Sequence, residues 1–217
     1  MITSNPAPAP PWAAQAPLSV RELDALREVA NIGAAHAATA LSTMIGSTIM
    51  ISVPQVNVMR LQDVPPVVST QEEPVVAVLL QMLGDLSGRT LLVFPCAVAV
   101  RLAELLLHRE PSGSTQLGAL EESAIQEVGN ILSSAYMNAL SDFMGVMLLP
   151  TPPKLSIDAS ASVLAATHLE FGTDKDQVFC VESELRLKDV GEKLRGFFLL
   201  LPDSASLNVM LRKIRVM

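Results

Sequence analysis

Apolar residues along the chain fall into two kinds of rhythm. Leu23, Leu26, Ala30, Ala37, Leu41 and Met44 recur at intervals of three, four and seven, which is the spacing of one helical face. Ser19-Val20-Arg21-Glu22 ahead of them is a capping box, and Gly46 behind them is a terminator, so a long helix is predicted. A second such pattern, Leu120, Ala124, Val128, Ile131, Ala135 and Leu140, predicts a helix from about Leu117 to Phe143 that ends at Gly145. Strand-like runs follow each helix. In the first half they are Thr48 to Val58, Pro74 to Gly84 and Arg89 to Phe94. In the second they are Val146 to Leu149 with Leu155 to Ile157, then Ser162 to Phe171, Val178 to Leu187 and Gly196 to Leu201. Shorter helices, Ala97 to Leu107 and Ala205 to Lys213, close the two halves. Short polar turns between consecutive strands predict antiparallel pairing, and the class is α+β.

The two halves are copies of one pattern. Asp24-x3-Glu28-x2-Asn31 and Ser123-x3-Glu127-x2-Asn130 are the same arrangement displaced by 99 residues, and Ala40-Leu41-Ser42 and Gly46 return as Ala139-Leu140-Ser141 and Gly145 at that displacement. Leu86 to Pro95 resembles Lys193 to Pro202, with the prolines 107 apart, which predicts a loop insertion of about eight residues in the second copy. Two copies are too few for a solenoid, so a pseudo-two-fold pair sharing one core is expected, with repeats over about 18–110 and 111–217 of a single domain, 18–217. Residues 1–17 hold five prolines and no charge and read as a flexible tail rather than a signal peptide.

Composition narrows the function. Half of the 217 residues are apolar, and 15 Lys+Arg against 22 Asp+Glu leave a net charge of −7, which argues against a polyanion-binding surface and so against nucleic acid. Val29 to Met59 lacks charged residues, but Asn31, His36, Thr39, Ser42, Thr43, Ser47, Thr48 and Pro54 interrupt it, so no membrane span is expected. Cys96 and Cys180 stand apart, without CxxC spacing, which suggests neither a disulfide framework nor a structural zinc site and fits a reducing cytoplasm. His36, His108 and His168 are scattered without metal-ligand spacing, and the ten methionines read as core filler.

On a helix, positions i, i+4 and i+7 lie at 0°, about 40° and about −20°, so Asp24, Glu28 and Asn31 share a narrow stripe, as do Ser123, Glu127 and Asn130. One such triplet is ordinarily a solvated face. Its recurrence in halves that otherwise diverge argues for a use beyond packing. A carboxylate can pair with a cation, and a carboxamide offers a donor and an acceptor together, which suits it to orienting a water molecule. No nucleophile and base stand at triad spacing, so covalent catalysis is not expected.

Glu28-Val-Ala-Asn-Ile-Gly33, continuing into Ala37-Ala-Thr-Ala-Leu-Ser42, and Glu122 to Leu132 resemble the CheC/CheX/FliY family of chemotaxis phosphatases. The resemblance covers everything but the tail, and its two-copy layout is of the CheC type. It implies hydrolysis of the aspartyl-phosphate of CheY-type response regulators. Carried over by position, Glu28 and Glu127 would contact the regulator's active-site lysine. Asn31 and Asn130 would enter its active site and place the hydrolytic water, with Asp24 and Ser123 in supporting roles. The resemblance implies that Mg2+ is held by the regulator, with no cofactor or metal bound by this chain, and that the deamidase CheD is a further possible partner. Where a Gly-Asn pair is common in the family this chain has Ala35-His36, for which a packing consequence alone is expected. The acidic residues Glu110, Glu121, Glu122, Glu127 and Asp142 could steer a partner with an exposed lysine, or form a solvated face. A catalytically silent adaptor that sequesters the phosphorylated regulator or holds CheD is the competing reading.

Overall fold

The computed structural model describes residues 19–68, 73–171, 177–187 and 193–216. The expected tail, 1–17, lies outside them. The first helix, α1 (Val20–Ile45), starts at the predicted capping box: the Ser19 hydroxyl accepts from the Glu22 amide, and the Glu22 carboxylate accepts from the Ser19 amide at 2.5 Å. It stops at Gly46, whose φ of 71° is left-handed. Then come β1 (Ile49–Arg60), a 3-10 turn (Leu61–Asp63), α2 (Pro65–Val68), β2 (Pro74–Gly84), β3 (Gly88–Pro95) and α3 (Cys96–Leu106). The second half runs α4 (Ala119–Met144), β4 (Leu148–Pro150), β5 (Lys154–Ala159), α5 (Ser160–Phe171), β6 (Gln177–Leu187), β7 (Lys193–Pro202) and α6 (Ser204–Val216). Gly145 ends α4 with φ 58°, as Gly46 ends α1.

All seven strands form one antiparallel sheet in the order β1-β6-β7-β3-β2, with β4 and β5 both pairing with β2. The centre is the β3–β7 pair, in register at Leu91 with Leu199 and Leu92 with Phe198. The order is unchanged when each strand of one half is exchanged for its counterpart in the other, which fits the duplication read in the sequence. Each half also lends its outermost strand to the opposite half.

The sheet is covered on both sides. Alternation along β2 sends Val76, Val78, Leu80 and Met82 toward a core shared with α1, α3, α4 and α6. Val75 and Ala77 point to a smaller core with Leu61, Val64, Val68 and Val163, below the 3-10 turn, α2 and α5. Double coverage explains why Leu91, Leu92, Val93 and Phe94 are all buried in succession.

Three expectations need correction. Ser162 to Phe171, read as a strand, is the body of α5. Ala161, Ala165 and Ala166 favour a helix, and a short apolar run does not by its periodicity separate helix from strand. This helix of 12 residues stands where the first half has the four-residue α2, so part of the added length is helix rather than loop. The match of prolines 107 apart also fails as a structural equivalence: Phe94 faces the long helices, while Leu201, at that displacement, faces the opposite layer. Side chains alternate with a period of two, so only an even displacement keeps a residue on its own face. Finally, Leu120 and Met44, predicted for inner faces, are exposed: Leu120 lies in the first turn of α4, ahead of the first buried residue Ile125, and at the end of α1 the buried line runs through Ala37, Leu41 and Ile45, which turns Met44 outward.

Candidate functional site

The predicted stripes lie on the outward faces of α1 and α4, which pack side by side on the sheet. Asp24, Glu28 and Asn31 are exposed, whereas Leu26, Val29, Ala30 and Ala34 between and beyond them are buried. Ser123 and Glu127 are likewise exposed and Asn130 is half-buried, with Val128 and Gly129 facing inward. Both pairs are therefore brought to accessible surface by the same device, an apolar face turned onto the sheet.

Among the described residues, the side chains of Glu28, Asn31, Glu127 and Asn130 make no hydrogen bond or ion pair within the chain. Two carboxylates and two carboxamides are thus left to solvent or to a partner, at the three-residue spacing that makes neighbours on a helix surface. The first positions of the two motifs behave differently. Asp24 pairs with Arg27 at 3.1 Å on open surface, where such a contact contributes little. Ser123 instead donates to the Ala119 carbonyl of its own helix at 3.1 Å. The two residues share no interaction that a common role would explain.

Three residues that sequence reasoning overlooked set where these helices lie. A β-carbon at Gly33 would come within 2.5 Å of Tyr136 Cδ1 and 3.0 Å of its Cα, so α1 and α4 approach backbone to side chain and nearly backbone to backbone here. A β-carbon at Gly129 would overlap the Val78 side chain of β2. The signal was available: glycine inside a long helix costs about 1 kcal/mol against alanine, and each of these lies beside a motif asparagine. Tyr136, the single tyrosine of the chain, is buried with its hydroxyl 2.8 Å from Ser183 Oγ and its ring stacked on Phe198 at 4.4 Å between centroids.

The remaining chemistry-bearing residues do not join the stripes. His36 is exposed rather than packed, so the packing consequence expected there does not arise. Burial pushes the Cys96 thiol up and the Cys180 thiol up to about 12, which keeps both protonated and unreactive. At the start of α4, Glu121 accepts from the Gly118 amide at 3.1 Å and pairs with Arg109, so it serves the helix end. Glu110, Glu127 and Asp142 are exposed to solvent. Among the described residues no group of three or more His, Cys, Asp or Glu could hold a metal ion, and no helix is long and apolar enough to cross a membrane.

Comparison with known proteins follows this geometry. The CheC-like family is matched over residues 22–58 and 120–157, which are α1 with most of β1 and α4 with β4 and most of β5. The chain is 28% identical over 184 residues to the CheY-P phosphatase CheC of Bacillus subtilis, covering 84% of this chain and 88% of that protein. It is 31% identical over 181 residues to the flagellar motor switch phosphatase FliY of the same organism, of whose length it spans 44%. Among solved structures, Thermotoga maritima FliY superposes with a TM-score of 0.76 at 23% identity, over 92% of this chain and 98% of that one. The FliM middle domain of H. pylori gives 0.65 at 17% identity, over 90% and 99%. At these identities the two structures speak for the fold alone.

Proposed function

We propose that the chain, which matches the CheC-like family over residues 22–58 and 120–157, is a protein phosphatase that hydrolyses the aspartyl-phosphate of CheY-type response regulators in chemotaxis. The observation that carries the reading is the pair of accessible Glu/Asn stripes on two helices, which make no hydrogen bond or ion pair among the described residues. The name of the Bacillus CheC relative, a CheY-P phosphatase, supports the same substrate class, and that of the FliY relative supports phosphatase activity.

In this mechanism Glu28 or Glu127 pairs with the regulator's active-site lysine and fixes the helix across its active site. The Asn31 or Asn130 amide then holds a water in line with the phosphorus. The water oxygen bonds to phosphorus as the bond from phosphorus to the aspartate oxygen breaks. The electron pair of that bond leaves with the aspartate carboxylate, and the water's proton departs with inorganic phosphate or to solvent. Divalent metal belongs to the regulator's own acidic residues. A carboxamide supplies no charge and takes no proton, so its contribution is positional, converting a diffusing water into an aligned one.

Phosphate release from a phosphorylated receiver domain tests the reading, using the unaltered chain, Asn31→Ala, Asn130→Ala and the double substitution. The double substitution is expected to return release to the receiver's intrinsic rate, with each single change leaving partial activity. If the doubly substituted chain still accelerates release, the proposal is wrong. If no form accelerates release yet all bind the phosphorylated receiver, an adaptor role replaces it.

A further inference from the structure

The two stripes rest on unequal foundations. Beneath Glu127 and Asn130, Gly129 lies directly on Val78, so α4 is seated on the sheet at the motif itself. Beneath Glu28 and Asn31 there is an apolar cavity instead, roofed by Leu26, Val29 and Ala30 and walled by Val56, Tyr136 and Phe198 among others. The next support along α1 is Gly33, pressed against Tyr136. Tyr136 is itself immobilised: it is buried, stacked on Phe198 of β7 and hydrogen-bonded to Ser183 of β6.

We infer that Tyr136, although a residue of α4, is the positioning residue for the α1 site, setting the height and tilt of the segment that carries Glu28 and Asn31. The inference rests on the phosphatase reading. Gly33 lies two residues past Asn31, about 3 Å along the axis and about 200° around it, so the contact supports α1 from the side opposite the amide. With part of the space below the preceding turn left as cavity, the Gly33–Tyr136 contact is the tight helix-to-helix approach nearest to Asn31 on that side, beside the ordinary core packing of Val29, Ala30 and Ala34. A displacement of 1 Å at a reacting centre can cost roughly 100-fold in rate. On its own helix Tyr136 is six residues beyond Asn130, roughly 9 Å along the axis, and Gly129 holds α4 to the sheet independently of it.

The test compares two single-site forms of the full chain, Asn130→Ala, which retains the α1 site, and Asn31→Ala, which retains the α4 site, each with Tyr136→Leu or Tyr136→Phe. With a phosphorylated receiver domain as substrate, Tyr136→Leu is expected to lower kcat of the Asn130→Ala form about tenfold or more with little change in KM. In the Asn31→Ala form kcat should change less than about twofold, and Tyr136→Phe, which keeps the ring, should recover most of the loss. A purely structural role would slow both forms in proportion to the folded fraction, measured alongside by thermal denaturation; equal slowing, or none, overturns the inference. Should Tyr136→Leu fail to fold, Gly33→Ala wedges the same contact apart from the α1 side, and an unchanged kcat in the Asn130→Ala form then overturns it. If neither single-site form hydrolyses before Tyr136 is touched, the phosphatase reading falls and takes this inference with it.

Discussion

The hydroxyl of Ser42 accepts a hydrogen bond from the Ile49 amide at 2.8 Å and donates to the Ala38 carbonyl at 2.6 Å, tying the last turn of α1 to the first residue of β1. Ser141, 99 residues on, does the corresponding work at the end of α4 by donating to the Val146 carbonyl. Part of the repeated pattern is therefore structural. In both halves the serine ties down the turn that leaves the long helix and the glycine ends that helix, whereas Glu28, Asn31, Glu127 and Asn130 have no partner among the described residues to account for their recurrence.

Ser42→Ala should accordingly lower stability while sparing the chemistry. The Ile49 amide loses its acceptor in a part-buried corner, a loss of about 1 kcal/mol. Urea denaturation should show that decrease, and phosphate release per folded molecule should stay at its original value. An unchanged midpoint would mean that water replaces the hydroxyl without loss.

Gly33→Ala and Gly129→Ala should both destabilise, against the direction of helix propensity. Alanine is favoured over glycine in a helix interior by about 1 kcal/mol. Here the added methyl meets Tyr136 or Val78 at overlapping distance, and forced overpacking costs about 1–3 kcal/mol. Denaturant midpoints for the two variants decide the matter, and a rise in either would show that the helix moves aside freely.

Glu104 is buried, and its carboxyl is held below the usual carboxylate range, first by hydrogen bonds from Ser112, whose amide lies 2.7 Å away, and then by Arg101. A depressed folded-state value means that the group stabilises the fold above the ordinary carboxylate range and loses that contribution as pH falls through the depressed value. Glu104→Gln should therefore weaken the protein at neutral pH and flatten the acid limb of its stability profile. Chemical denaturation across an acidic pH series would show the limb unaltered if Glu104 has no part in it.

Tyr136 gives the opposite sign. Burial pushes its hydroxyl up to about 12, with the Ser183 hydrogen bond acting the other way. A raised folded-state value leaves stability intact below the ordinary tyrosine range and removes it as pH climbs through that range toward 12. Because the chain has one tyrosine, phenolate absorbance reports this site alone. Ionisation should coincide with alkaline unfolding, and Tyr136→Phe should make that limb shallower; ionisation near 10 in the folded protein would contradict the burial.

Much of the architecture was legible in the sequence, for reasons visible in particular residues. Ser19 to Glu22, Gly46 and Gly145 are local signals whose geometry hardly depends on the rest of the molecule, and they fixed the helix ends closely. The α5 segment reads as a strand because a short apolar run carries no decisive period, although its alanines and single Val163 suit the helix it forms. The stripes were predicted from helical angles alone, and exposure followed once α1 and α4 lay on the sheet. What stayed hidden was long-range: that Gly33 would meet Tyr136, and that the ground beneath the two stripes would differ. Such contacts depend on how two halves more than 90 residues apart dock, and no local pattern encodes that.

The borrowed outer strands tie manufacture to completeness. When Leu106 has just emerged from the ribosome, β1 is exposed with its strand partner, β6, still untranslated, and β3 awaits β7. Severing the chain between α3 and α4 would strand the same edges in both fragments. Neither piece closes a sheet by itself, so a truncated product should be an aggregation-prone intermediate rather than half a working protein.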